Sequence, residues 1–343
     1  MKMLMTAGVV AMVASAFAET PDFIADRIAS DGVGYIDTGY ANRRNGYPRT
    51  SRIAVSFSTS TAGKGTAPGP VVEGTERTIF GYEYDSTDKM LFRYGGDKAQ
   101  VWYPESGQNW GTGVKGDMTI TLNEESGTAT WSPAGDKTGI SIPTVNSTYT
   151  YYLFAHHKKA SGVSVAQDFA VFDLKSMAVY EKESEGAAET LAHHFLPCFL
   201  NGKVGLFDEE TGDVRYPTTD GFVISGYDID LASGKSLIVN SYDAAPRTLK
   251  LAAGSALAFD GEATLSPSVV AELPEGGTVS IALTEARGKG RYVLIENLPA
   301  DYELSSFVLS SVPAGNAGVL SKSGSDLVLT LTSAGAGLPD AIA

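Results

Sequence analysis

Hydrophobic and polar residues alternate over short stretches of the chain, and this alternation predicts strands. Residues 52–58 read Arg-Ile-Ala-Val-Ser-Phe-Ser, with an apolar side chain at every second position. A half-buried β-strand has this period, because successive side chains point to opposite faces of a sheet. Residues 78–82 and 90–94 flank an Asp-Ser-Thr-Asp turn, and residues 118–122 and 128–131 flank Asn-Glu-Glu-Ser-Gly. Each arrangement predicts a hairpin.

Helix-like patterns are scarce in this chain. The one segment that suggests a short helix is residues 184–192. Many short strands bounded by turn residues within about 200 residues favour a large antiparallel sandwich. We therefore expect an all-β protein.

The composition of the chain changes near residue 225. All three Trp, all four His and the one Cys precede it, whereas the later part is rich in Leu, Val, Ala, Ser and Gly. An aromatic core followed by an aliphatic one predicts two separately packed domains. The second would be either a small sandwich or a short stack of β-helix-like coils, with strands at residues 236–239, 248–251, 256–259, 278–283, 291–295, 307–309 and 326–331.

The first residues carry a targeting pattern. Lys2 is followed by an uncharged apolar run at residues 4–16 and by the small-residue site Ala-Phe-Ala, which ends at Ala18. This order predicts a secretory signal peptide, because the run is shorter than the roughly 20 residues that span a bilayer. We expect a soluble protein, secreted or at the cell surface, divided into a signal peptide (1–18), a sandwich (19–225), a C-terminal β module (226–335) and a disordered tail (336–343).

Charge and cysteine content narrow the classes of function. The net charge is −14, and such a surface repels nucleic acid and anionic lipid, which bind clustered Lys and Arg. We therefore expect no nucleic-acid partner and no membrane insertion. Cys198 lies in an apolar run, which favours a buried thiol over a nucleophile.

Several segments of the first part belong together as a family pattern. They are residues 35–40 (YIDTGY), residues 152–155 (YLFA), residues 169–175 (FAVFDLK) and residues 194–216, which contain HFLPC, VGLFD and GDVRY. In this order they resemble the LamG-like, concanavalin A-like jelly-roll domains of bacterial surface proteins. The resemblance covers residues 25–220 and implies an antiparallel jelly-roll β-sandwich followed by a smaller β-rich domain.

The later part carries a second resemblance. Residues 249–251, 256–259 and 290–295 are similar to the C-terminal β modules of secreted bacterial proteins with autotransporter-like repeats. Jelly-roll domains of the first class include lectins, glycan-binding modules, glycanases and adhesive spacers. The fold does not choose among them.

A catalytic interpretation needs two carboxylates beside a glycosidic bond. Laminarinase-like enzymes of this fold carry Glu-x-Asp-x-x-Glu on one strand. The nearest string here runs from Glu83 through Asp85 to Asp88. It ends in Asp, and its Asp-Ser-Thr-Asp part is a turn signal. The string therefore favours a turn over an active site.

Metal binding has two sets of candidates. The pairs His156-His157 and His193-His194 consist of neighbours that point to opposite faces of a strand, which disfavours chelation of one zinc ion by either pair. Many jelly-roll lectins hold calcium with loop carboxylates. Calcium is thus a candidate cofactor, and the loop carboxylates of that type are Asp85, Asp88, Asp208 and Asp213.

The strongest candidate for ligand binding is the segment around two tryptophans. Trp102, Tyr103, Gln108, Asn109 and Trp110 lie close together in a loop-like stretch. Sugar sites combine aromatic faces, which stack on a pyranose, with amides that bond its hydroxyls. The alternative is that both Trp side chains belong to the core.

The sequence therefore favours a non-catalytic extracellular protein of binding or adhesion type. Its partner would be a glycan or another extracellular protein, recognised through the jelly-roll domain. Two alternatives stay open: a glycoside hydrolase or lyase on the same fold, and a structural protein of the cell envelope.

Overall fold

The computed structural model has regular secondary structure that is almost entirely strand, as expected for an all-β protein. It describes residues 20–58, 77–95, 98–104, 106–110, 117–132, 134–143, 148–240, 245–285 and 288–334. The expected signal peptide and disordered tail lie outside the described residues. A 3-10 turn at Leu304–Ser306 is the only helical element within them.

The first 17 strands come from the aromatic-rich part of the chain. They are β1 (Phe23–Ala29), β2 (Ile36–Ala41), β3 (Arg49–Ser58), β4 (Arg77–Glu83), β5 (Lys89–Gly95), β6 (Lys98–Tyr103), β7 (Ser106–Asn109), β8 (Asp117–Asn123), β9 (Thr128–Ser132), β10 (Gly135–Lys137), β11 (Thr150–Leu153), β12 (His156–Ala160), β13 (Val163–Gln167), β14 (Asp173–Lys182), β15 (Thr190–Leu200), β16 (Lys203–Asp208) and β17 (Val214–Arg215).

The remaining strands come from the aliphatic part. They are β18 (Val223–Leu231), β19 (Ser236–Val239), β20 (Thr248–Leu251), β21 (Ala256–Phe259), β22 (Val269–Glu272), β23 (Val279–Leu283), β24 (Gly290–Ile295), β25 (Phe307–Ser311), β26 (Asn316–Ser323) and β27 (Asp326–Ser333).

Two sheets form a sandwich in the first part. The larger has the order β10-β9-β8-β3-β14-β15-β1-β18, and its pairs are antiparallel. The smaller has the order β13-β12-β4-β5-β6-β7, and in addition β11 pairs with β4 and β2 pairs with β11. The hairpins predicted at residues 78–94 and 118–131 are β4–β5 and β8–β9.

An aromatic core fills the space between the two sheets. The ring of Trp131 on β9 lies 5.8 Å from Phe57 on β3 and 6.4 Å from Tyr94 on β5, so it contacts both sheets. Phe80 and Phe92 stack at 4.7 Å on neighbouring strands of the smaller sheet. Buried aromatic pairs of this kind add about 0.5–1.5 kcal/mol beyond the burial of their area.

A polar cluster is buried at one end of the sandwich. The Arg44 guanidinium forms an ion pair with Glu124, and both side chains are almost fully buried. Burial raises the pKa of the neighbouring Tyr82 hydroxyl to about 12. Removal of one partner of such a pair leaves a buried charge uncompensated, so this cluster ties the loop after β2 to the turn after β8.

The aliphatic part forms a stack of parallel coils. β18, β20 and β22 pair in parallel along one side, and β19, β21, β23 and β25 do so along the other. Leu237, Leu257 and Ile281 are in register and buried, so the inner face is an aliphatic ladder. β24, β27 and β26 form a separate antiparallel sheet. The sequence left open a small sandwich or β-helix-like coils, and these parallel strands form β-helix-like coils.

β18 joins the two parts. One edge of β18 pairs antiparallel with β1 in the sandwich, and the other pairs parallel with β20 in the coils. The position expected for the domain boundary, between residues 225 and 226, lies within this strand.

The helix predicted at residues 184–192 is wrong. Residues 183–186 form a turn, and β15 begins at Thr190. β14 and β15 are a hairpin in which Glu181 pairs with Thr190. Gly186 adopts a φ of 76°, which belongs to a turn and breaks a helix.

Gly81 on β4 offers a test of the packing in the smaller sheet. Its φ is 151°, and a Cβ there would overlap the Met90 carbonyl oxygen and lie 2.8 Å from the Leu91 Cα. We expect Gly81→Ala to lower the free energy of unfolding by about 3 kcal/mol or more, since strain and overlap each cost about 1–3 kcal/mol. Chemical denaturation measures the loss.

The matched control for this substitution is Gly46→Ala. Gly46 also has a positive φ, of 80°, but nothing lies within 4 Å of its added Cβ. It therefore carries the backbone strain without the overlap. Equal losses at the two positions would contradict the packing argument.

Candidate functional site

The five residues proposed for ligand binding lie on or directly after the hairpin β6–β7, at one edge of the smaller sheet. Tyr103 pairs with Ser106, so the chain reverses its direction between these two residues. Trp102 pairs with Gly107, and Gln100 pairs with Asn109. Side chains of directly paired residues share a face, and the next residue along each strand faces the other way. The hairpin therefore divides the five residues between the two faces.

Trp102 and Asn109 lie on the outer face. The Trp102 side chain is 38% exposed, and its indole Nε1 donates to Gln100 Oε1 at 2.9 Å. Gly107 lies against the indole, since a Cβ added there would be 3.1 Å from Trp102 Cδ2. The ring is thus fixed by a hydrogen bond and supported from one side.

A second group of candidate residues makes its contacts toward the interior: Tyr103, Gln108 and Trp110. Tyr103 is buried, and Gln108 Nε2 donates to its hydroxyl at 3.1 Å and to the Thr138 carbonyl at 3.1 Å. The Trp110 ring lies 5.4 Å from Trp131 of the core, and its Nε1 donates to Gly135 at 2.7 Å. The structure does not bring these three to the face that carries Trp102 and Asn109.

Two cations flank the exposed indole. Leu91 on β5 pairs with Trp102, and Lys89 and Arg93 lie two residues to either side of Leu91 on the same face. The Lys89 Nζ is 6.0 Å and the Arg93 Cζ 5.8 Å from the ring centroid. Cations at this range interact with the ring quadrupole by about 0.5–1 kcal/mol at exposed sites.

Arg93 is held by a charged network centred on His156. Arg93 Nη2 lies 2.6 Å from Asp168 Oδ2, and the same oxygen lies 3.4 Å from His156 Nδ1. The other ring nitrogen of His156 is 3.2 Å from Glu83 Oε2. Hydrogen bonding to His156 lowers the pKa of both the Asp168 and the Glu83 carboxyl. The side chain of His156 is fully buried among these groups.

The remaining histidines have other partners. His157 stacks on Tyr152 at 3.8 Å, and its Nδ1 lies 2.8 Å from the Thr150 carbonyl. Burial lowers the pKa of His157. His193 and His194 diverge, with Nδ1 of each 2.7 Å from Asp208 and Glu209 respectively. Members of each pair thus contact different groups, and no cluster suited to a metal occurs among the described residues.

Three of the four loop carboxylates considered for calcium make contacts within the protein. Asp85 accepts backbone hydrogen bonds from Thr87 at 2.7 Å and Asp88 at 2.9 Å. Asp208 is buried and accepts from the His194 backbone at 2.9 Å. Asp213 lies 3.4 Å from Arg215. These contacts are those of turns, and calcium binding stays a prediction.

The string from Glu83 to Asp88 spans the β4–β5 turn. Glu83 points to His156 on the outer face, whereas Asp88 is buried beside Tyr82, where burial raises its pKa. The two carboxyls thus have different surroundings. Glu83 and Asp88 therefore do not form the facing pair of carboxyls, one acid and one nucleophile, that glycoside hydrolysis needs.

No protein-family model matches the chain, and no curated protein sequence matches it. No helix among the described residues is long and apolar enough to cross a membrane.

Sequence reasoning missed Lys89, Arg93 and Gln100, although all three surround Trp102. The sequence did contain a signal for them, because alternate residues of a strand share a face. Lys89 and Arg93 lie two positions before and after Leu91, with Arg93 inside the predicted strand 90–94 and Lys89 directly before it, and Gln100 precedes Trp102 by two residues. What the sequence lacked was the pairing of Leu91 with Trp102.

Trp102 lies on the outer face and Trp110 packs against the core, so their removal should cost different amounts of stability. Trp110→Ala removes a ring from the edge of the core, and we expect it to lower the free energy of unfolding by about 2–3 kcal/mol. Trp102→Ala removes an exposed ring and should cost about 1 kcal/mol or less. Urea denaturation of both variants measures this, and equal losses would contradict the division.

The His156 network predicts a pH-dependent contribution to stability. The Asp168 pKa in the folded protein is lower than its ordinary value of 3.8. Folding therefore favours the charged carboxylate, and its contribution is complete above about pH 5 and lost as the pH falls through the folded pKa. We expect Asp168→Asn to be less stable than the native protein near neutral pH, and the difference to shrink in acid. Denaturation over a pH series tests this, and a constant difference would count against it.

Proposed function

We propose that this chain is a secreted, non-catalytic binding or adhesion protein. Its first domain is of the LamG-like jelly-roll class, and it binds a glycan on the outer face of the smaller sheet at Trp102. The β-helix-like coils space or anchor this domain at a surface.

The observation that carries the proposal is the fixed, exposed indole of Trp102. Gln100 holds its nitrogen and Gly107 supports the ring, so little side-chain freedom remains to be lost on binding. Preorganisation of this kind reduces the entropic cost of association. The apolar face of a pyranose fits such a ring, and the Asn109 amide on the same face can bond sugar hydroxyls.

A second aromatic ring with a neighbouring cation lies on the larger sheet, but it is not a candidate for glycan binding. On the larger sheet the Arg52 Cζ lies 3.6 Å from the centroid of Tyr180, and Glu189 fixes that guanidinium at 2.5 Å. The guanidinium therefore covers that face of the tyrosine. The two cations near Trp102 lie about 6 Å from the centroid of its ring, so neither packs directly against it.

A screen of immobilised glycans with the purified protein, with and without a calcium chelator, tests the proposal. We expect Trp102→Ala to weaken binding to the recognised glycan about tenfold or more, which corresponds to about 1.4 kcal/mol. Loss of binding on chelation would add a calcium site to the proposal.

The matched control is Tyr216→Ala. Tyr216 is 41% exposed, and Lys203 lies 5.8 Å from its ring, so its exposure and neighbouring cation resemble those of Trp102. Its removal should leave glycan binding unchanged. If folded Trp102→Ala binds as well as the native protein, the indole is not the platform and the proposed site fails.

A further inference from the structure

We propose that the ligand at Trp102 is an anionic saccharide, one that carries a carboxylate or sulfate group beside the stacked ring. This inference rests on the proposed function and names the chemical class that the site prefers. It comes from the two cations on β5, which glycan stacking alone does not require.

The strand register places these cations symmetrically about the indole. Leu91 pairs with Trp102, and Lys89 and Arg93 precede and follow it by two residues. Residues along a strand rise by about 3.4 Å each, so each cation lies about 7 Å along β5 from the row of the indole. A sugar stacked on Trp102 therefore has a cation near either end.

The two cations have different characters. Asp168 fixes the Arg93 guanidinium, and His156 in turn fixes Asp168. A planar guanidinium that is held in place matches the two oxygens of a carboxylate or sulfate. Lys89 pairs across the sheet with Glu83, whose carboxylate also lies 3.7 Å from the Lys158 Nζ. One carboxylate is thus shared between two lysines.

The balance of charge on this face favours an anion. The described side chains of the network and its surroundings comprise three cations and two carboxylates, namely Lys89, Arg93 and Lys158 with Glu83 and Asp168. The whole chain carries −14, which would repel an anion at long range. Charges farther than about 8 Å are largely screened at physiological salt, so the local cations decide.

A simpler interpretation of the Lys89 and Arg93 contacts is that both cations only stack on the Trp102 ring and bind no ligand. It predicts cations that cover the indole, as Arg52 covers Tyr180 at 3.6 Å and as Lys159 covers Tyr84 at 3.8 Å. At 5.8 and 6.0 Å, Arg93 and Lys89 lie farther from the Trp102 ring than either of these. This spacing suits cations that flank a bound sugar.

The experiment compares matched saccharides by titration calorimetry. One pair is an oligogalacturonate and its carboxyl-reduced form, and the other is a sulfated galactan oligosaccharide and its desulfated form. We expect the native protein to bind at least one anionic member about tenfold more tightly than its neutral partner, with the preference falling as salt is raised. The two pairs distinguish carboxylate from sulfate.

Variants separate charge from stacking. Lys89→Gln should reduce the preference for the anionic member about threefold or more while leaving the neutral member unchanged, since one local attraction is removed. Arg93→Lys keeps the charge but loses the planar fork, and it should weaken the anionic member alone. Trp102→Ala should weaken both members. Lys203→Gln, beside Tyr216, is the matched control and should change neither.

The outcomes distinguish the two proposals. Equal binding of anionic and neutral members, with both lost in Trp102→Ala, overturns the inference and leaves glycan binding in place. The same conclusion follows if folded Lys89→Gln and Arg93→Lys both keep the native preference. If neither member of either pair binds and the glycan screen is also blank, the proposed function fails and the inference falls with it.

Discussion

The register between β5, β6 and β7 is the constraint on which the candidate site depends. Hydrogen bonds pair Leu91 with Trp102 and Trp102 with Gly107. A slip of one residue would turn every side chain of a strand to the other face. Val101 and Tyr103 would then leave the core, and Trp102 would enter it. Because burial of the core side chains opposes that slip, the same forces that fold the sandwich hold the indole in the solvent between Lys89 and Arg93.

The charged network on the outer face extends this control beyond the backbone. His156 is fully buried on a sheet face where polar side chains are ordinarily exposed, and its ring nitrogens lie near Glu83 and Asp168. A polar group is buried at low cost only when it has hydrogen-bond partners, and these two carboxylates supply them. Asp168 thereby links the hairpin β12–β13 to Arg93 on β5. The position of Arg93 is thus fixed by a residue that is distant from it in the sequence.

The sequence was sufficient where local pattern decides structure and insufficient where pairing does. Alternation over residues 52–58 predicted β3 correctly because one face of that strand is buried. Trp110 follows Trp102 by eight positions, an even step that would place both on one face of a continuous strand. The chain reverses after Tyr103 and pairs Trp102 with Gly107, so Trp110 faces inward. In the coils, Leu237, Leu257 and Ile281 stack in register, but their unequal spacing along the chain hides the repeat.

The two outer faces of the sandwich differ in how their cations lie relative to aromatic rings, and this difference supports the proposal that the smaller sheet carries the binding site. On the larger sheet Arg52, Lys182 and Lys175 each pair with a carboxylate at 2.5–2.8 Å. Exposed pairs of this kind contribute about 0–1 kcal/mol to stability, so they mainly neutralise the surface. On the smaller sheet Arg93 is likewise paired, with Asp168 at 2.6 Å, but it lies 5.8 Å from the centroid of Trp102, whose ring stays 38% exposed. Arg52, by contrast, covers the ring of Tyr180 at 3.6 Å. A ligand can stack on an aromatic ring that no cation covers, and Trp102 is such a ring.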